Sequence, residues 1–372
     1  MKKYVFLFAI TGLLASCAKD YSDSYTDDYP KEDYDILVDA GIDVPSSMID
    51  YNENNTTFNT HDNALVTLGR VLFYDENLPT AGKISCGSCH QQQLAFADDV
   101  AFSEGVDGAT ARNSMALGQF QNFRQYYGGS NPLPLFWDGR QESFHDQMME
   151  TMANPIEMDI DMNELVDRIS KIDHYKVLFR RAYQGSDLVT AERVTEPLDA
   201  FMKTLLNNDS KFDRARNGQS LGSNFNAYTT EENRGKTLFI NSGCEGCHKM
   251  DQVNTIEFAN NGLDLNPSDK GLGAISDFSS DNGKFKTPKL RNIEVTGPYM
   301  HDGRFETLEE VVEFYSTGIQ ESPNLHQDLR NGNQAKKFNF TSTEKSDLIS
   351  FLKTLTDETL LTDQRWSSPY GE

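Results

Sequence analysis

The stretch SCGSCH, Ser85 to His90, decides how this chain is read. Two cysteines and a histidine at that spacing can hold zinc, form a redox disulfide or carry a haem. A second run, CEGCH from Cys244 to His248, narrows the choice. The chain has five cysteines, and once Cys17 near the N-terminus is set aside, the other four form two CxxCH runs with none left over. Two thiols on one helical turn reach the two vinyl groups of a haem, and the adjacent histidine swings under the iron. A zinc ribbon usually brings its pairs closer together and needs no histidine after each. A thioredoxin-like disulfide needs a βαβ context, which is absent here. Two covalent c-type haems are therefore expected, on Cys86, Cys89 and His90 and on Cys244, Cys247 and His248.

The N-terminus points outside the cytoplasm, where such attachment occurs. Lys2 and Lys3 precede the apolar run YVFLFAITGLLA and then Ser16-Cys17. That is a charged region, an apolar region too short for an ordinary membrane span, and small residues at a cut. LLASC resembles a bacterial lipobox, so residues 1–16 read as a lipoprotein signal peptide and Cys17 as the lipidated residue. The alternative is an ordinary signal peptide in which Cys17 is incidental. Residues 17–60, rich in Asp, Ser, Asn and Tyr, read as an acidic flexible tether. No later segment is long and apolar enough to span a membrane. The expectation is an exported chain anchored by lipid, facing the periplasm. A formal net charge of −23 argues against nucleic acid and suits a basic partner protein or a plain acidic surface.

Both halves repeat one order of signals. CxxCH is followed by Arg112-Asn113 and WDGR (137–140), then CxxCH by Arg291-Asn292 and HDGR (301–304). Unequal spacings mark a diverged duplication rather than a short repeat. The local pattern is helical. Thr229 with Glu232, Thr307 with Glu310 and Thr341 with Glu344 are capping boxes. Leu308, Val311, Val312 and Tyr315 share one helix face, as do Leu348, Ile349, Leu352 and Leu355. Segments 162–183 and 190–206 read as helices, with Pro197 blurring the start of the second. The fold class is all-α, with haem domains at 61–220 and 221–360 joined at the Gly/Ser/Asn-rich NGQSLGSN stretch.

The chain resembles the bacterial dihaem cytochrome c peroxidase family, including its MauG-like members, over roughly residues 62–356. The resemblance rests on LGRVLFYDENLPTAGKISCGSCH, ARNS, LFWDGRQESFHDQ, ANPIEM, GCEGCH, FKTPKLRNIEVTGPYMHDG and LISFLKTLT, in that order. It implies two cytochrome c-like domains with a calcium ion between the haems. One haem meets peroxide and the other passes electrons. By the same resemblance, Trp137 is an electron relay, Gln147 a pocket glutamine and Glu157 the distal acid–base. Such a carboxyl takes a proton from one peroxide oxygen and returns it to the other. Read alone, Glu157 would be a helix N-terminal charge after Asn154-Pro155. Asn113, Thr296 and Pro298 match calcium ligands, completed by waters or haem propionates, and oxygen ligation suits that hard cation.

Two departures follow. Many members close the peroxide-reactive haem with a distal histidine, but residues 91–136 contain none, so this haem should react without prior reduction. His145 falls on the helix of Gln147 and reads as a surface or supporting residue. At the second haem, Tyr315 stands where many members carry a methionine ligand, as in MauG-like enzymes. A phenolate stabilises high-valent iron and a thioether the ferrous state. Read alone, Tyr315 is a core tyrosine, and Met300 is the competing ligand. His301 is expected beside the second haem. His61, His174 and His326 match nothing, and Trp366 has no assigned role. The expected activity is hydrogen peroxide reduction with electrons from a small cytochrome or cupredoxin, or from quinol. The alternatives are a MauG-like oxidase of a partner protein and a non-enzymatic dihaem carrier. Members of the family often form homodimers.

Overall fold

Two helix crossings organise the chain, and each closes on a glycine. The Asn63–Tyr74 helix crosses the Ala191–Met202 helix at Gly69, where a Cβ would lie 1.9 Å from the Pro197 carbonyl oxygen. The Thr230–Asn241 helix crosses the Ser342–Lys353 helix at Gly235, where a Cβ would lie 1.9 Å from the Asp347 carbonyl oxygen. Only a residue without a side chain lets backbones approach so closely. Each glycine stands one turn or more before a CxxCH run, so each crossing fixes the helix that leads to one.

The computed structural model describes residues 30–43, 62–117, 134–205, 208–250 and 257–371. The proposed leader, Cys17 and His61 lie outside the described residues. The described residues are mostly helical, and their strands are three two-residue antiparallel pairs. No helix among them is long and apolar enough to cross a membrane. One core gathers Val66, Leu68, Leu72, Phe73, Phe179 and Phe201, all at most 1% exposed. A second gathers Phe212, Phe225, Phe239, Val312, Phe351 and Leu355. Each such side chain contributes about 1.5–3 kcal/mol by leaving water. All three capping boxes form, at Thr229, Thr307 and Thr341.

Three expectations need correction. Within the stretch read as a tether, Lys31–Asp39 form a helix that buries Tyr34 and Leu37 in the first core. Arg180 donates to Asp33 at 2.9 Å and holds it there. The 162–183 segment is two helices, Met162–Ile169 and Asp173–Ala182. The turn at Ser170–Ile172 lets Leu165 and Ile169 reach the same core as Tyr175 and Phe179. The segment read at 190–206 does form a helix, Ala191–Met202, with Pro197 in its interior. The two cores also do not divide at 220. The Lys211–Arg216 helix packs with the second core, through Phe212 and Ala215. The Glu358–Thr362 helix and the tail return to the first. Trp366 anchors that return: it is 4% exposed, its Nε1 donates to Thr204 at 3.2 Å, and its carbonyl accepts from Tyr74 Oη at 2.6 Å.

Candidate haem sites and the seam between them

Cys86–Cys89 form a single helical turn, capped where the Ser85 N–H donates to Ser88 Oγ at 3.0 Å. The turn lies directly on the preceding helix, since a Cβ on Gly87 would meet the Tyr74 ring at 2.5 Å. Burial pushes the Cys86 thiol up to about 12 and the Cys89 thiol up to about 11, so both are protonated thiols here. His90 Nδ1 lies 2.8 Å from the Phe96 carbonyl, a bond in which the ring N–H donates. That commits Nδ1 and leaves Nε2 for a metal. Burial also lowers the His90 pKa, favouring the neutral ring that binds iron.

The second site repeats this design. Gly243 at φ +85 opens the Cys244–Cys247 turn, and His248 Nδ1 donates to the Pro288 carbonyl at 2.9 Å. Cys244, Cys247 and His248 line a cavity together with Trp137, Met300 and Tyr315. Both sites thus fit a c-type haem by their donors: two thiols on one turn and a neutral imidazole with one nitrogen committed. A shared zinc does not fit, because Cys86 packs on the first core and Cys244 on the second. Cys247, Glu257 and His326 do cluster among the described residues. A thioether to Cys247 would take its sulfur out of that set, leaving the Glu257–His326 pair at 2.9 Å.

Glu157 lies in the turn that follows the Phe144–Ala153 helix, not at a helix N-terminus. Asn154 Nδ2 donates to its Oε1 at 2.8 Å. The loop after the first CxxCH grips this turn, with Val106 N–H donating to the Glu157 carbonyl at 3.0 Å. Gly105 is needed for that contact, since a Cβ there would lie 2.0 Å from the Ile156 carbonyl oxygen. Burial pushes the Glu157 carboxyl above its ordinary range, and Arg140 opposes the shift. Gln147 lies on the helix that leads into the turn, and His145 on the same helix is exposed, 3.2 Å from Thr195 Oγ1.

The seam between the halves is polar and aromatic. Trp137, from the first half, lines the cavity of Cys244, Cys247 and His248; its Nε1 donates to the Asn113 carbonyl at 2.8 Å and its carbonyl accepts from Lys286 N–H at 2.7 Å. Asn113, Thr296 and Pro298 line the same cavity, and Asn113 Nδ2 is committed to the Val100 carbonyl at 3.1 Å. His301 lines it too, stacked on Phe285 with ring centroids 3.7 Å apart. Tyr315 reaches it from a π-helical turn, Phe314–Gly318, that extends the Leu308–Glu313 helix. Such turns concentrate at functional sites. Burial pushes the Tyr315 phenol up to about 12, so only a bound cation would hold it as phenolate at neutral pH.

Sequence reasoning missed the clamp across the seam. Arg112 donates to Asp269 from Nε at 2.7 Å and from Nη2 at 2.9 Å, and from Nη1 to Asp138 at 2.6 Å. Arg112 and Asp138 both stood in the repeated signals, but nothing marked Asp269. In each DGR tripeptide the arginine pairs with its own aspartate and with a second, more distant carboxylate: Arg140 with Asp138 and Glu150, Arg304 with Asp302 and Asp264. Arg112→Ala is expected to destabilise the chain by about 2–3 kcal/mol, read as a lower urea midpoint. Asp138 then keeps Arg140, while Asp269 retains the Gly271 N–H at 2.9 Å.

Residues 63–221 match the family described as di-haem cytochrome c peroxidase. The chain is 31% identical over 297 residues to the methylamine utilization protein MauG of Methylorubrum extorquens, across 79% of this chain and 78% of that protein. It is 32% identical over 313 residues to the cytochrome c551 peroxidase of Nitrosomonas europaea, across 80% of this chain and 82% of that protein. A solved MauG-like protein associated with microbial copper homeostasis is 32% identical with a TM-score of 0.70, covering 84% of this chain and 94% of that one. The diheme peroxidase BthA of Burkholderia thailandensis, 21% identical, shares the fold with a TM-score of 0.63 over 88% of this chain and 93% of that one.

Proposed function

The chain belongs to the dihaem cytochrome c peroxidase family, and on that premise we propose that it reduces hydrogen peroxide to water with electrons from a small redox protein. Each peroxide takes two electrons and two protons and yields two waters. Two c-type haems, held by Cys86, Cys89 and His90 and by Cys244, Cys247 and His248, supply the redox chemistry when bound. The protein's own share is proton handling, positioning and electron passage. Glu157 accepts a proton from one peroxide oxygen and delivers it to the other, with Gln147 assisting from the adjoining helix. The shell around Glu157 suits this, since its carboxyl is half-buried and tied by Asn154.

The observation that carries the reading is Trp137. Its side chain belongs to the half that holds Glu157, yet it lines the cavity of the other half. A relay needs that position, and two hydrogen bonds fix it, one from its indole N–H and one to its backbone carbonyl. Trp137→Phe should cut peroxide turnover with a reduced donor by about tenfold or more, ~1.4 kcal/mol on the limiting barrier. The first reaction of the oxidised protein with peroxide should be unchanged. Equal rates throughout would remove Trp137 from the path.

Finer parts belong to the same reading. The halves are a diverged duplication, supported by the matching glycine crossings at Gly69 and Gly235. Asn113 Oδ1 and the Thr296 and Pro298 carbonyls hold calcium at the seam, supported by their common place along one cavity. The chain is exported and anchored through Cys17 facing the periplasm, supported by the short apolar run that ends in LLASC. A second reading is a MauG-like oxidase that modifies a partner protein. The place of Tyr315 on the cavity of Cys244, Cys247 and His248 favours it, together with 31% identity to a MauG. A covalent change on a co-expressed partner, dependent on peroxide, would decide for it. A carrier would do neither.

A further inference from the structure

We propose that Met300 is a second, alternative ligand at the site served by Tyr315, and that Asn261 holds the choice between them. The inference rests on Tyr315 ligating the second haem, as read above. Both side chains line the cavity of Cys244, Cys247 and His248. One amide lies between them. Asn261 Nδ2 is 3.5 Å from Tyr315 Oη and 3.6 Å from Met300 Sδ. An amide NH2 carries two hydrogens, so each acceptor has its own. The orientation of that amide is fixed, because Leu263 N–H donates to Asn261 Oδ1 at 3.1 Å.

The surroundings hold this arrangement tightly. Next to Asn261, Gly262 stands at φ +76, where a Cβ would lie 2.8 Å from the Gln320 carbonyl oxygen. Asn260, 3% exposed, accepts the Gly262 N–H on its own side chain at 2.9 Å. Asn261 therefore cannot follow either partner when that partner moves. Met300 itself is held at φ +76, a left-handed conformation uncommon for a residue with a side chain. Backbone strain of this kind is kept where the surrounding structure requires it.

The two atoms differ in the property that matters. A phenolate oxygen is hard and anionic and favours the oxidised metal; a thioether is soft and neutral and favours the reduced one. With the haem bound, one electron from the donor protein would favour exchange of the iron–Tyr315 oxygen bond for an iron–Met300 sulfur bond, the freed phenolate taking one proton from solvent. Reoxidation would reverse the exchange and release that proton. Because Asn261 stays in place, its N–H groups remain for whichever of the two atoms stands beside it.

The test uses the full holoprotein with both haems, read by visible and near-infrared absorption in the oxidised form and after dithionite. Wild type is expected to show phenolate charge transfer when oxidised and a six-coordinate, low-spin spectrum at the second haem when reduced. Met300→Leu, which nearly conserves volume, should turn the reduced spectrum five-coordinate and lower the midpoint potential of the second haem. Asn261→Leu should bring a far-red thioether band into the oxidised form, and the double variant should lose it. A wild-type reduced spectrum and potential in Met300→Leu would overturn the exchange. An unchanged oxidised spectrum in Tyr315→Phe is a different failure, which removes the tyrosine reading itself.

Discussion

Glu157→Gln is expected to lower peroxide turnover by about 10²–10⁴-fold, the usual contribution of a positioned acid–base. The amide matches the carboxyl in shape but cannot accept a proton and return it. The Asn154 contact can survive with the amide oxygen facing Asn154 Nδ2, now 2.8 Å from Oε1. Folding and haem content should therefore be unchanged, and the loss should fall on kcat/KM for peroxide. A pH profile adds a second readout. Burial raises the Glu157 pKa above its ordinary 4.5. Below that raised value the carboxyl is already protonated and cannot take the peroxide proton. Turnover should fall on the acid side with a midpoint above 4.5, and Glu157→Gln should lack that limb. A wild-type rate in the variant would assign the proton work elsewhere.

Gly235→Ala is expected to destabilise the chain by about 1–3 kcal/mol, as overpacking does. Its sign is the point. Elsewhere in a helix, Gly→Ala usually stabilises by about 0.4–1 kcal/mol through the unfolded state. Here a Cβ would meet the Asp347 carbonyl oxygen at 1.9 Å and Phe351 Cβ at 2.9 Å, and neither can swing away. The two helices must separate, and the cost spreads into the core of Phe239, Phe351 and Leu352. Gly246→Ala is the matched control, because a Cβ there meets nothing within 4 Å. Urea midpoints of both variants check the contrast. A Gly235→Ala protein as stable as wild type would mean the crossing is not close-packed.

What was legible in the sequence was what a short spacing encodes. CxxCH places two thiols and a histidine through local geometry alone, and capping boxes act over three residues. The Lys31–Asp39 helix was missed because few of its side chains face the core, while its charged residues resemble those of a tether. The boundary between the cores was misplaced for a related reason. NGQSLGSN looks like a linker, but the preceding helix is held to the second core through Phe212 and by the Arg291–Asp213 ion pair. Asp269 sits 157 residues from Arg112, and no local pattern announces such a partner. Tyr315 and Met300 competed in the sequence as ligands. In three dimensions they share one cavity and one amide, which spacing along the chain could not reveal.

The central claim is a peroxidase whose first haem is open, since residues 91–136 contain no histidine to close it. Rapid mixing of the fully oxidised holoprotein with stoichiometric hydrogen peroxide tests it most directly, followed by Soret absorbance. The account predicts a fast Soret change with no reductant present. No reaction until one electron is added would mean a gated first haem and would contradict it.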